Sequence, residues 1–329
     1  YIIAVTTSIQ TKPQPLMKSL TALLCVAVLS APSAAARSSS GWGVSRVVLP
    51  RGGDAAVSAT TEVSADAPNA PVIKHKSRDN YTFSLLQPGD GHEDDPDGIP
   101  GRYLRMQKGN RKKAKVALEE TFEWRTKYEV DTILARPHPK FDLCNEVLPR
   151  CLIGRDATGH VIHYLQPGLL NRTDNVSVDD LVLHCIYVLE YCWNIVEPRP
   201  DETMTSVIDL KGLSFSKTKK LWKFIQQFAM MLSHNYPQRS HKTLVINAPG
   251  WFGTLFRMIS PLLRESTRKK ISLLAKGSRQ EKILREILGD DFAEQVLTGE
   301  KIVASPVEQG MQAQCKTRLK EAGTEMMTA

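Results

Sequence analysis

A hydroxyl and an ammonium stand three residues apart at Thr267 and Lys270, within the basic run Arg264-Glu265-Ser266-Thr267-Arg268-Lys269-Lys270. On a helix that spacing puts both side chains on one face. A hydroxyl beside a cation suits a phosphate oxygen, and the same residues would also make a solvated basic face. Enzymatic patterns are missing. The sequence has no G-x-S-x-G, no P-loop, no G-x-G-x-x-G and no H-E-x-x-H. His163, His184 and His234 are scattered, without a carboxylate pattern beside them, and read as structural or surface groups rather than general bases. No C-x-x-C occurs, so zinc ligation is not indicated. Cys185 and Cys192 share a helical face and read as core. Asp94-Asp95-Pro96-Asp97-Gly98 has some look of a calcium loop but lacks the later Gly and Glu such a loop needs. No catalytic residue, metal set or cofactor motif is assigned.

The segment 251–263 carries Trp251, Phe252, Leu255, Phe256, Met258, Ile259, Leu262 and Leu263, apolar around most of a helical circumference. Such a helix must lie under other protein or against lipid. Gly250, Gly253 and Pro261 bracket it and would let it pivot, so both a fixed core helix and a mobile lid fit the periodicity. Around it the pattern alternates. Residues 203–210, 243–247 and 271–274 are short apolar strands; 178–196, 213–233 and 280–288 are helical. Two further strands, 151–155 and 160–164, flank Asp156-Ala157-Thr158-Gly159 as a hairpin. Strand–helix–strand order argues parallel pairing with crossover helices. Upstream, 110–129 is an amphipathic helix following the turn-rich 80–98.

The 329 residues are 42% hydrophobic and 24% charged, with a net charge of +8, which fits an ordinary globular chain of about two domains. The basic excess fits an anionic membrane, an acidic ligand or nucleic acid without choosing among them. Six cysteines are too few for a disulfide scaffold. The first Met is Met17. Lys18, the apolar run from Leu20 to Leu29 and the small residues to Ala36 read as a signal peptide over 17–36, with 1–16 lying upstream of the true start. The Ser- and Ala-rich stretch 37–76 is either a linker or the second half of a plastid-type presequence. The expected destination is the secretory pathway or a plastid; the alternative is the cytoplasm with peripheral membrane association. Sequons at Asn80, Asn171 and Asn175 matter only in the first case.

Four pieces, in order, resemble the CRAL-TRIO lipid-binding domain family in its phosphatidylinositol-transfer lineage. They are Arg102-Tyr103-Leu104-Arg105 with the helix ending Trp124-Arg125; Gly159-His160-Val161-Ile162; Ile208-Asp209-Leu210-Lys211-Gly212-Leu213-Ser214; and Tyr236-Pro237-Gln238-Arg239 through Ala248-Pro249 to Lys270-Ile271. The resemblance implies an α/β fold: a small helical lobe over 77–136, then over 137–305 a mixed, mainly parallel sheet covered by helices that enclose an apolar lipid pocket. Residues 306–329 read as a flexible tail. It further implies that 251–263 is a gate, with Trp251, Phe252, Leu255, Phe256, Ile259 and Leu262 against the lipid. The implied headgroup site falls on Arg102, Gln238, Thr267 and Lys270, with Arg239 beside it. Gln238 departs from the family's Glu. Met204 stands where phosphatidylcholine binders offer a hydroxyl, with Ser206 retained two residues on.

The implied function is non-enzymatic: carrying or presenting a phosphatidylinositol-type phospholipid between membranes, with peripheral contact to anionic leaflets. Alternatives are a single-chain isoprenoid cargo such as a tocopherol or carotenoid, and a lipid hydrolase. Nucleic-acid binding is not indicated, because the basic residues lack interleaved aromatics or a recognised module. Oligomeric state is left open, with a monomer as the default.

Overall fold

The computed structural model describes residues 84–169, 175–214, 223–224, 227–228, 230–259, 268–298 and 305–328. The sequence-predicted Thr267, Pro261 and Leu262, and much of the helix expected over 213–233, lie outside these residues.

The chain opens with two helices, α1 (Gly101–Met106) and α2 (Arg111–Lys127). Asn110 starts α2 by accepting a hydrogen bond from the Lys113 backbone N–H at 3.0 Å, which satisfies one of the helix's unpaired donors. Tyr103, Met106, Ala114 and Leu118 bury against Leu85, Leu86 and Ile99, giving this lobe a small core of its own. A charged knot fastens the lobe to the rest. Arg125 forks onto Glu190, with Nη1–Oε1 3.0 Å and Nη2–Oε2 2.9 Å, and both side chains are almost wholly buried. Ser84, Asn194 and Tyr236 also donate to that carboxylate, so its lone pairs are well used.

After α3 (Phe141–Val147) comes the hairpin β1 (Arg150–Arg155) and β2 (Val161–Leu165). Its turn is fixed by Asp156 Oδ1, which accepts from the backbone N–H of Thr158 (2.8 Å) and His160 (3.0 Å), and by Gly159 at φ +88°. Helix α4 (Val178–Tyr191) begins with a Ser177–Asp180 capping box and runs into a wider π turn over Cys192–Val196. Then follow β3 (Met204–Asp209), β4 (Ser240–Ile246), α5 (Gly250–Ile259), β5 (Ile271–Leu273), α6 (Ser278–Leu288) and α7 (Asp290–Thr298). The strands lie in sequence order, β1 antiparallel to β2 and the rest parallel. This is the mixed, mainly parallel sheet the strand–helix alternation predicts.

Side-chain alternation gives the sheet two apolar faces. Ile153, Ile162, Tyr164, Val207, Leu244 and Ile246 pack under α6 and α7 through Leu284, Leu288, Ala293 and Val296. Gly154 is required there, because a Cβ would stand 2.5 Å from the Phe292 ring. Leu152, Leu165, Met204, Ile208 and Val245 face the other way, toward α4, Phe224, Phe228 and Leu232.

The predicted tail is corrected: Pro306–Thr328 is a 23-residue helix, α8. Val307, Met311, Cys315 and Leu319 recur every four residues and pack into the main core, Met311 and Cys315 fully. So narrow a stripe amid polar residues is easily read as a tail. At its start Glu308 Oε2 accepts from Leu152 N at 3.1 Å and Ser305 Oγ donates to Leu152 O, covering the backbone of edge strand β1. Among the described residues, no helix is long and apolar enough to cross a membrane.

Candidate functional site

Between β2–β3 and the covering helices lies a narrow cavity lined by His163, Leu165, Leu189, Ser206, Ile208, Phe228 and Leu232. Its volume of about 10 Å³ would hold about one water molecule. Among the described residues this pocket is nearly filled.

The floor of this region is the informative part. His163 on β2 pairs in register with Ser206 on β3, and Ser206 with Thr243 on β4. Three polar side chains thus form one row across three parallel strands, on the apolar face that looks toward α4. All three are buried, and His163 Nε2, Ser206 Oγ and Thr243 Oγ1 have no hydrogen-bond partner among the described residues. A buried polar atom left unpaired costs roughly 1–3 kcal/mol, so each of the three calls for a partner, whether water or ligand. Burial and the charge of Arg150 push the His163 imidazole down to about 3, so it is neutral at ordinary pH. The row is a neutral donor–acceptor strip.

The gate segment is only partly visible. In α5, Phe252 is fully buried and meets Trp251 edge to face at 5.7 Å, while Trp251 and Phe256 are half-buried. Met204 is buried on β3. Leu255 and Ile259 lie on the helix, but their side chains fall outside the description. At Gly250 and Gly253 nothing stands within 4 Å of a would-be Cβ and φ is not positive, so neither position demands glycine for space or backbone conformation.

The basic groups divide. Arg102 and Arg239, expected at a headgroup, point inward in this conformation. Arg102 donates to Asp90 Oδ2 (3.2 Å) and Ser84 O (3.3 Å). Arg239 donates to Glu202 O (3.0 Å), Ser84 O (3.2 Å) and Gln87 Oε1, with its guanidinium 4.4 Å from the Trp193 ring centroid. The two cations share one carbonyl and one carboxylate, Asp90, which is bonded to Arg102. Burial and nearby Arg102 push Arg239 down to about 9. Gln238 precedes it in a left-handed turn at φ +61°. Lys270 is half-buried, its Nζ donating to Ser240 O at 2.6 Å, and burial lowers its pKa. The structure thus brings Arg102 and Arg239 together and holds Lys270 at the first residue of β4, one residue along the chain from Arg239.

Sequence reasoning missed the polar row. It retained Ser206, dismissed His163 as structural and passed over Thr243. Only strand register could have joined them.

The family description "CRAL/TRIO domain" matches residues 145–295. The chain is similar to the SEC14 cytosolic factor of Candida glabrata, 27% identical over 202 residues (58% of this chain, 67% of the relative). It is 26% identical over 202 residues to that of Schizosaccharomyces pombe (58% and 70%). It is 26% identical over 204 residues to a CRAL-TRIO domain-containing protein of Saccharomyces cerevisiae (56% of this chain, 65% of the relative). Against the crystal structure of Sfh5 the TM-score is 0.44 at 19% identity, over 56% of this chain and 65% of that one. The chain spans about two thirds of the length of these relatives.

Proposed function

Residues 145–295 form a CRAL/TRIO domain distantly homologous to the Sec14 cytosolic factors, and from that premise we propose that the protein takes up one amphiphilic lipid between the sheet and its helical cover, and carries or presents it between membranes. The observation that carries this reading is the unpartnered row His163–Ser206–Thr243 at the floor of an apolar cleft. Greasy walls with a few convergent polar groups are the usual make-up of a small-molecule site.

Energetics demand enclosure. Each methylene transferred to water costs about 0.8 kcal/mol, so two acyl chains of ~16 carbons would lose ~25 kcal/mol outside a bilayer or an equivalent lumen. The pocket among the described residues, about 10 Å³, cannot hold them, and our reading is that the helical cover moves on loading. Helix α5, half-buried and followed by the segment after Ile259, is the part proposed to swing. The exposed cations Arg268, Lys269, Lys276 and Arg279 flank β5 along the chain. Facing an anionic leaflet they would contribute up to ~1 kcal/mol each to docking.

The first-choice cargo is a phosphatidylinositol-type phospholipid, its phosphate taken by Lys270 and Thr267 and its inositol hydroxyls by Gln238. Arg239 supports this assignment as a buried cation to which, among the described residues, no carboxylate is bonded. A second reading, a single-chain isoprenoid alcohol, is favoured by the neutrality of the polar row, which could bond one hydroxyl without any phosphate. Mass spectrometry of lipid extracted with the purified protein separates them. A co-purified phosphoinositide supports the first reading, a phosphorus-free isoprenoid the second, and absence of any lipid together with failure to load either from vesicles overturns both.

A further inference from the structure

Away from the lipid cleft, the turn of the β1–β2 hairpin meets the start of β4. Strand β4 does not begin in simple register with β3: Met204 pairs with Ser240, but Thr205 pairs with Lys242. The extra residue is His241. A β-bulge of this kind redirects one side chain and breaks the local ladder, a cost proteins accept where the redirected group is used. The redirected ring lies flat on His160, with centroids 3.7 Å apart and planes inclined by 10°. Face-to-face stacking lets neither imidazole hydrogen-bond the other, and His241 Nε2 is buried without a partner among the described residues.

Asp156 completes the group. It is 6% exposed and hydrogen-bonded from several sides: Oδ1 accepts from the Thr158 hydroxyl at 2.7 Å, and Oδ2 from the Thr205 hydroxyl at 2.6 Å. Against the upward push of burial, these bonds and two backbone N–H groups keep its carboxyl below the ordinary range. The same Thr158 oxygen lies 2.8 Å from His160 Nδ1. Asp156, His160 and His241 each offer a donor atom, and all three atoms fall within 4.8 Å of one another. By strand alternation Thr205, under Asp156, points away from the side that carries Met204 and Ser206, so this cluster lies on the other face of the sheet from the lipid cleft.

We propose that Asp156, His160 and His241 form a binding site for a single divalent transition-metal ion of the zinc class. Two imidazoles and a carboxylate are a donor set suited to zinc, cobalt or nickel, and poorly suited to calcium or magnesium, which prefer all-oxygen cages. Metal–ligand bonds of roughly 2.0–2.1 Å place the donors of a tetrahedral site about 3.4 Å apart. The two rings are half-buried and now lie parallel, so binding one ion requires them to splay until both ring planes meet at it. Thr158 and Thr205 then serve as the outer shell that aims the ligands, a role commonly taken by hydroxyls and carboxylates around bound metal. The fourth position would hold water. Lys242 and Lys270 are the nearby cations acting on His241, and the ionised Asp156 is the anion that offsets them. A second described trio, Asp90, His92 and Glu93, is a competitor of different make-up, with one imidazole and two carboxylates.

The test uses the full chain, stripped of metal with a chelator and titrated with cobalt(II) and, separately, zinc(II). One equivalent of cobalt should bind with the visible absorption of a low-coordinate nitrogen–oxygen site, and zinc should displace it. His241→Ala and His160→Gln should each weaken binding at least tenfold while leaving far-ultraviolet circular dichroism unchanged. His92→Ala should bind as the unaltered chain does. Absence of stoichiometric binding in the unaltered chain, or binding kept by both His241→Ala and His160→Gln, overturns the site. Binding lost only in His92→Ala assigns the ion to the competing trio and equally overturns it. Because the readout is metal binding on the face away from the lipid cleft, its failure would leave the lipid assignment standing, and the reverse holds.

Discussion

Replacing Thr243 by valine should make the lipid-free protein more stable and the loaded protein worse at holding its cargo. Thr243 is 1% exposed and its Oγ1 has no partner among the described residues. Valine keeps the side-chain shape and the β-branched preference of the strand and removes only the stranded hydroxyl. If that hydroxyl is unpaired in the empty protein, Thr243→Val recovers its desolvation cost, about 1–3 kcal/mol. For a body of 150–250 residues each kcal/mol moves the unfolding midpoint by ~2–4 °C, so the delipidated variant should melt about 2–12 °C higher. In the loaded protein a lipid oxygen would meet the hydroxyl, and its removal should weaken retention by about 5- to 150-fold, the same free energy expressed as an equilibrium constant. The assay is thermal unfolding of delipidated and reloaded protein, paired with lipid exchange against vesicles. An unchanged or lowered melting point in the delipidated variant would refute the idea that the hydroxyl is an orphan. A raised melting point with unchanged exchange would show that the row does not face cargo. Ser206→Ala should act in the same direction, but the two effects should not simply add, because the residues are cross-strand neighbours sharing one site.

Other outcomes follow from the same contacts. Burial pushes the Glu190 carboxyl up, but Arg125 and the Tyr236 and Ser84 hydroxyls outweigh it and hold its pKa below the ordinary value. Its contribution to stability is therefore complete above the ordinary carboxyl range and is lost as pH falls through the lowered folded value. Glu190→Gln should destabilise the fold at neutral pH by taking one of two carboxylates from Arg125, whose Nε keeps Asp131 at 2.7 Å, and the urea midpoint of the variant should fall less on acidification than that of the unaltered chain. Lys270→Ala should slow phosphatidylinositol transfer between vesicles several-fold with the fold intact by circular dichroism; unchanged transfer would remove Lys270 from the headgroup site. Residues 17–76 fused to a fluorescent protein should direct it to a secretory or plastid compartment, and diffuse cytosolic fluorescence would reject both targeting readings.

What the sequence discloses and what it hides follow from the range of the interactions. The β1–β2 turn was legible because Asp156 and Gly159 act within four residues: a carboxylate accepting from the N–H groups two and four ahead, and a glycine at positive φ. The helix over 178–196 was equally local, read from its own apolar pattern. The C-terminal helix was hidden because its apolar stripe is one residue wide and acquires meaning only against the main core and the edge of β1. The headgroup cations show a subtler limit. Arg102 and Arg239 carry the chemistry that phosphate needs, yet the first is neutralised by Asp90 and the second is clamped by Ser84, Gln87 and the Trp193 face. Residue type alone does not distinguish a cation waiting for an anion from one already engaged.

The two clusters that carry the functional argument were invisible for one shared reason. His163, Ser206 and Thr243 are adjacent only because β2, β3 and β4 pair in a particular register, and His241 reaches His160 only because β4 carries one extra residue against β3. Both clusters also run against folding stability. Each leaves polar atoms buried and unpaired, which a sequence selected for stability alone would replace with valine, alanine or leucine at little structural cost. Sites of this kind are where local rules fail because a ligand completes the structure. The argument also ranks the groups. Lys270 and Arg239 already spend their donors on backbone or side-chain oxygens, so a headgroup must displace those bonds to gain theirs. The row on the sheet floor has no protein partner to displace among the described residues. Cargo that reaches His163, Ser206 and Thr243 therefore recovers more free energy per contact than cargo held only at the rim, and the depth of insertion, rather than the charge of the headgroup, should dominate retention.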